Sequence, residues 1–167
     1  MGAVARKVSQ SHLCREVAVI FVAIGTTDFN ELVETMDRLA PTLGEVVMMQ
    51  IGRSRYTPKN CQYFRFAPSL EPYYNRASVV VSHGGLGIVT EVMERGLPLV
   101  AVEDPLQPDR HQREILSVWE KEGHLVWCKD LQSLPQAIKK AQTTLTPYIP
   151  PPCHIQEHII RFLNGSA

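Results

Sequence analysis

The sequence predicts an α/β domain: a Rossmann-like, doubly wound parallel sheet with helices on both faces. Three observations predict it. Short apolar runs rich in β-branched residues, VAVIFVAI at 17–24, ASVVV at 77–81 and LVAV at 99–102, have the composition of strands buried on both faces. Segments with apolar residues at helical spacing alternate with these runs, the order that builds a parallel sheet. Glycine-containing turns follow two of the strands, where a strand hands over to a helix.

Taken in order, residues 17–24 read as a central strand ending in Gly25-Thr26-Thr27-Asp28. The next segment, 29–40, places Phe29, Leu32, Val33, Met36, Leu39 and Ala40 on one face, an amphipathic helix stopped by Pro41. Asp28 with Glu31 three positions later predicts a capping box. Residues 46–51 form a second strand, followed by a polar loop through Asn60, a short strand over 63–67 and a short helix over 70–76. The strand 77–81, the turn Ser82-His83-Gly84-Gly85-Leu86-Gly87, a helix over 88–95, the stop Gly96-Leu97-Pro98 and the strand 99–102 make one βαβ unit. A helix over 109–122 closes at Gly123, and a strand over 125–128 and a helix over 134–142 follow. The stretch 147–152 (PYIPPP) is held extended by its prolines. A final amphipathic helix carries Ile155, Ile159, Phe162 and Leu163 on one side, and it is expected to pack back on the domain; the alternative is an interface with another chain. The domain reading is a flexible leader over 1–16, the sheet domain over 17–146, and a proline-rich connection with its helix over 147–167.

Lys and Arg number 17, as do Asp and Glu, so no global basic field points to nucleic acid. Cys14, Cys61, Cys128 and Cys153 lie far apart, form no CxxC or Cys/His metal pattern, and read as reduced thiols. No apolar run approaches the roughly 18 residues that span a bilayer. The chain holds no Walker sequence, no full GxGxxG, no GxSxG elbow and no paired-carboxylate motif.

What remains is an edge suited to anions. In parallel order both glycine turns, Gly25 to Thr27 and His83 to Gly85, lie at the carboxyl ends of strands, where ligands of open α/β sheets bind; backbone N–H groups and a helix dipole there favour negative charge. A phosphate-bearing ligand is the first expectation, although glycines also serve simply to make tight turns. His83 is placed to donate to a phosphate or a sugar hydroxyl. Glu91, about one turn into the following helix, suits the adjacent hydroxyls of a ribose, or else only balances the helix dipole. Glu94 reads as a solvated charge. The cluster Asp109-Arg110-His111-Gln112 opens the next helix, with Asp109 as a candidate N-cap and Gln112 offering a donor and an acceptor to sugar hydroxyls. Trp119 and Trp127 read as core or interface residues.

The ordered set Ile24-Gly25-Thr26-Thr27, Phe66, the stretch SHGGLGIVTE at 82–91, Gly96-Leu97-Pro98 and Asp109-Arg110-His111-Gln112 resembles the C-terminal, donor-binding domain of glycosyltransferase family 28. The resemblance covers about residues 17–131. It is to the single-domain subunit type, similar to bacterial exopolysaccharide glycosyltransferase subunits and to the soluble subunit of the dolichol-linked GlcNAc transferase. It implies one half of a GT-B architecture and a UDP-sugar donor, with the Gly25, Thr26, Thr27 and His83, Gly84, Gly85 turns on the diphosphate. It also implies Glu91 on the ribose, Gln112 with His111 on the sugar, and Phe66 at the position whose backbone meets the uracil ring. The loop 103–108 departs from that of the dolichol-pathway subunit, which leaves the sugar open: GlcNAc, glucose or galactose type. No metal ion and no cofactor are implied, the UDP-sugar being a substrate. The expected partners are a membrane-anchored, acceptor-binding subunit, which would supply the general base, and a lipid-linked glycan acceptor. The chain would sit at the cytoplasmic face of a membrane through that partner. Two other readings fit the same residues: a non-catalytic nucleotide-sugar-binding or partner-stabilising module, and an enzyme similar to UDP-sugar epimerases.

Overall fold

The computed structural model describes residues 18–104 and 111–164. Six strands, β1 (Val19–Ala23), β2 (Val46–Gln50), β3 (Gln62–Phe64), β4 (Ala77–His83), β5 (Leu99–Val102) and β6 (Val126–Cys128), form one sheet in the order β3-β2-β1-β4-β5-β6. Every neighbouring pair is parallel. This is the doubly wound arrangement, and its strand order reverses between β1 and β4, the switch point at which such sheets bind ligands. The helices are α1 (Asn30–Leu39), α2 (Glu71–Tyr74), α3 (Leu86–Glu94), α4 (His111–Lys121), α5 (Leu134–Thr144) and α6 (Ile155–Leu163).

The alternation of side chains along β1 divides the core into two layers. Ile20, Val22 and Ile24 face one side with Leu32, Val33 and Met36 of α1 and Leu134, Ala137, Ile138 and Ala141 of α5. Phe21 and Ala23 face the other with Tyr74 of α2, Val89, Val92 and Met93 of α3, and Leu116 of α4. Phe21 stacks on Phe64 and Tyr73 and meets Tyr74 edge-on, so one buried ring ties β3 and α2 to the central strand.

Several boundaries differ from expectation, each for a local reason. The capping box at Asp28 and Glu31 does not form. Phe29 occupies the N-cap position without a side-chain cap, and its ring is buried in the core. The helix entry is therefore fixed by packing, while Asn30 turns its side chain to the loop after β2. The short strand expected over 63–67 ends at Phe64, because Arg65 leaves the ladder to donate to the carbonyls of Gly52 and Ser54, at 3.1 and 2.8 Å. β4 runs on to His83, two residues past the apolar run, since Ser82 and His83 pair with Ala101 and Val102. The candidate cap Asp109 lies outside the described residues.

The largest departure is α6. Expected to pack on the domain, it buries none of its residues, and Phe162 and Leu163 are 84% and 74% exposed. The connection before it does dock: Tyr148 meets Trp119 and His124 edge-on. Beyond Tyr148 the chain, Ile149 included, is exposed up to residue 164. Among the described residues no helix is long and apolar enough to cross a membrane, and Cys61, Cys128 and Cys153 are free thiols.

Candidate functional site

The first glycine turn is built by the end of β1. Ile24 donates its N–H to the Gln50 carbonyl, and the Ile24 carbonyl accepts from both the N–H and the hydroxyl of Thr27, at 3.3 and 2.8 Å. Gly25 sits at φ +64°, in the left-handed region that glycine adopts without strain. A third glycine, which the sequence reading passed over, packs directly on this turn. Gly52 (φ +46°) lies so close that a Cβ would come within 2.5 Å of the Gly25 carbonyl oxygen and 2.8 Å of that of Thr27. Arg53 then donates its N–H to the Thr27 carbonyl at 2.9 Å. The signal available was a glycine directly after the second strand, a strand that pairs with the first.

The second turn follows β4. The pairing of Ala23 with Ser82 sets it beside the first, and a Cβ on Gly25 would touch His83 Cε1 at 3.5 Å. The His83 ring lies over Gly85, whose Cβ position it fills. Gly84 donates its N–H to the Val102 carbonyl at 2.7 Å, so this amide is committed to the sheet. Its missing side chain instead admits α4: a Cβ there would meet Leu116 Cδ1 at 2.8 Å and Gln112 Oε1 at 3.2 Å. Gly85 caps α3 in an extended conformation without a side-chain cap, and the first amide of the helix ladder to bond back is that of Val89, to the Gly85 carbonyl. Among the described residues the N–H groups at the start of α3 have no other partner, which leaves them for a ligand or solvent at the positive end of the helix dipole.

Burial lowers the pKa of His83 below its ordinary value; the Ala23 carbonyl and the Asp104 carboxylate act in the opposite sense. The ring is neutral at pH 7, able to donate one hydrogen bond and accept one. Among the described residues its Nδ1 is buried without a partner, as are Gln50 Oε1, Ser82 Oγ and Gln112 Oε1. Orphaned polar atoms are costly, and their gathering at the strand ends around the switch point marks a functional region.

The structure therefore brings Gly25, Thr27, His83, Gly84, Gly85 and Gln112 together, with Thr26 exposed at the tip of the first turn. It places two further candidates apart from that group. Glu91 engages Tyr74 Oη at 3.3 Å and Arg95 at 3.5 Å, and Arg95 also pairs with Glu71 at 3.0 Å and lies over the Tyr74 ring. Phe66 is 56% exposed beyond the end of β3. His111 begins α4, but its side chain, with Asp109 and Arg110, lies outside the described residues. Trp119 and Trp127 pack against the second core layer, as expected. A cavity of 180 Å³ lined by Gly96, His124, Thr144 and Tyr148 lies at the opposite, amino edge of the sheet, away from these turns. Among the described residues no group of His, Cys, Asp and Glu is arranged to hold a metal ion.

The fold resembles that of known glycosyltransferases. Over 84% of its length the chain superposes on 39% of the glycotransferase of kitacinnamycin, with a TM-score of 0.62 and 21% identity. It superposes over 96% of its length on 55% of Acinetobacter baumannii MurG (TM-score 0.59, 18% identity), and over 88% on 94% of the ALG13 solution structure (TM-score 0.58, 18% identity). These likenesses show a shared fold, the Rossmann-like half of GT-B enzymes. In sequence, 122 residues are 30% identical to the human UDP-N-acetylglucosamine transferase subunit ALG13 and 121 are 34% identical to the mouse protein, 65% of this chain in each case. The chain spans only 11% and 10% of the lengths of those two relatives. Residues 19–150 match the sequence profile of the glycosyltransferase family 28 C-terminal domain, and the chain belongs to that family.

Proposed function

We propose that the chain is the donor-binding subunit of a two-component transferase that moves a hexose from a UDP-sugar to a lipid-linked acceptor held by a membrane-anchored partner. The observation that carries this reading is the convergence of the Gly25 turn, the His83 ring and the open amide end of α3 at the β1–β4 switch point. Such an edge suits a diphosphate, and family membership favours a nucleotide-sugar. The relatives named as UDP-N-acetylglucosamine transferase subunits favour N-acetylglucosamine as the sugar and a second subunit as the partner.

In this reading the diphosphate lies across the α3 amides, with the neutral His83 donating to one phosphate oxygen. The sugar is assigned to Gln112 and His111, at the start of α4. Phe66 presents its backbone to the uracil, and Glu91 reaches the ribose hydroxyls, for which it must exchange its contact with Tyr74 or Arg95. An acceptor hydroxyl supplied by the partner attacks the anomeric carbon; a C–O bond forms there as the bond to the β-phosphate oxygen breaks. The hydroxyl proton passes to a general base on the partner, and the electron pair leaves with UDP. The α3 dipole and amides stabilise the charge that develops on the leaving diphosphate, so the scheme calls for no metal ion or cofactor.

The test is calorimetric titration of UDP and UDP-N-acetylglucosamine into the chain, alone and with its partner, followed by transfer assays on membranes. Micromolar to millimolar UDP binding, with turnover only when the partner is present, is the expected outcome. Absence of UDP binding in both states would refute the reading.

A further inference from the structure

A nucleoside diphosphate brings at least two negative charges, yet the glycine turns supply only amide dipoles. His83 adds a hydrogen bond but no charge. Most cations described around the carboxyl edge are already committed. Arg113 pairs with Glu103. Lys129 lies over the Trp127 ring, 4.1 Å from its centroid, and 3.5 Å from Glu120. Arg65 donates to the Gly52 and Ser54 carbonyls.

Arg53 differs from all of these. Its backbone N–H is held on the Thr27 carbonyl at 2.9 Å, so the residue is fixed beside the first glycine turn. The backbone around it is fastened from three sides: Gly52 packs against the Gly25 and Thr27 carbonyls, Arg65 grips Gly52 and Ser54, and Asn30 Oδ1 accepts from Ser54 Oγ and the Arg55 N–H at 2.9 and 2.7 Å. The side chain, by contrast, is exposed and has no hydrogen bond or ion pair among the described residues. A guanidinium held in place through its backbone, but uncommitted at its head, is suited to capture phosphate oxygens two at a time.

We propose that Arg53 is a diphosphate-binding residue, supplying from the β2 end of the site the positive charge that the glycine turns lack. This rests on the reading of the site as one for a nucleoside diphosphate. Arg53 is absent from the motifs that suggested that reading, because it follows a strand whose place beside β1 is set by sheet pairing.

The test compares UDP with uridine, which lacks the phosphates, on the full chain and its Arg53→Gln and Arg53→Lys variants, by calorimetry for UDP and saturation-transfer NMR for uridine. Arg53→Gln is expected to weaken UDP binding by about tenfold and to flatten its dependence on salt, while uridine binding stays within about twofold. Arg53→Lys, which keeps the charge but lacks the paired N–H donors, should recover only part of the UDP affinity. The exposed side chain makes no contact that folding needs, so the thermal midpoint should not move. UDP binding by Arg53→Gln within twofold of the unaltered chain would overturn the proposal and leave the site reading standing. An equal loss for UDP and uridine would also overturn it, because the variant would then act through loop geometry. No UDP binding by the unaltered chain, with or without its partner, would remove the site reading and this inference together.

Discussion

At the scale of single residues, the site depends on what is missing as much as on what is present. A methyl group at Gly85 would occupy the place of the His83 ring. Gly85→Ala is therefore expected to displace that ring and lower UDP affinity by at least about tenfold, measured by calorimetry, at a modest cost in stability. At Gly52 the cost falls on folding itself. Alanine would be strained at φ +46° and its Cβ would collide with two backbone carbonyls, so Gly52→Ala should lose at least about 2 kcal/mol in urea unfolding. His83 makes a prediction in pH. Burial holds its folded pKa below 6.5, so between those two values the unfolded chain binds a proton that the folded chain does not. Stability then rises with pH through that window, and its loss on acidification begins near pH 6.5. Thermal midpoints between pH 5 and 7.5 should show this slope, and His83→Gln should reduce it.

At the scale of elements, two features show where local sequence rules stop. Asp37, on α1, is fully buried and accepts from Tyr56 Oη at 2.9 Å, from the N–H groups of Lys59 and Asn60 at 3.0 and 2.7 Å, and from Cys61 Sγ at 3.2 Å. Burial alone would raise its pKa, but these hydrogen bonds outweigh it and hold the carboxyl below its ordinary 3.8. Its stabilising contribution is therefore present above pH 3.8 and is lost as pH falls through the lower folded value. Asp37→Ala should cost about 2 kcal/mol in urea unfolding, because it leaves several partly buried donors unpaired. Nothing in the helical pattern of 29–40 announced this role, since the partners come from a loop some twenty residues away. Burial first, and the Asp37 carboxylate second, push the Cys61 thiol up to about 12, so Cys61 should resist alkylation at pH 8 while exposed Cys153 reacts. The α6 helix fails differently. Its periodicity correctly gave a helix with one apolar face, but periodicity does not say which surface covers that face. Because α6 buries nothing here, truncation after Pro152 should leave the thermal midpoint within about 2 °C of the full chain.

At the scale of the whole molecule, the alternation of apolar runs with helical segments was enough to read the doubly wound sheet and the place of most elements. The strand order was not legible in the same way: the neighbourhood of β1, β2 and β4 is a non-local pairing that no window of residues contains. Gly52 also follows a strand, but only the pairing of β2 with β1 brings it and Arg53 beside the first glycine turn, so neither was found. Such placement is also why Glu91, read from its distance along α3, proves to be engaged with Tyr74 and Arg95 across the helix face. The proposed function places the donor at the carboxyl edge between β1 and β4. The most direct measurement is a UDP titration followed by amide chemical shifts of the labelled chain. The amides of Gly25, Thr27, Arg53, Gly85, Leu86 and Gly87 should move together on one binding curve, while those of Gly96, Thr144 and Thr146 at the amino-edge cavity stay in place. Shifts confined to that opposite edge, or none at saturating UDP, would contradict that placement.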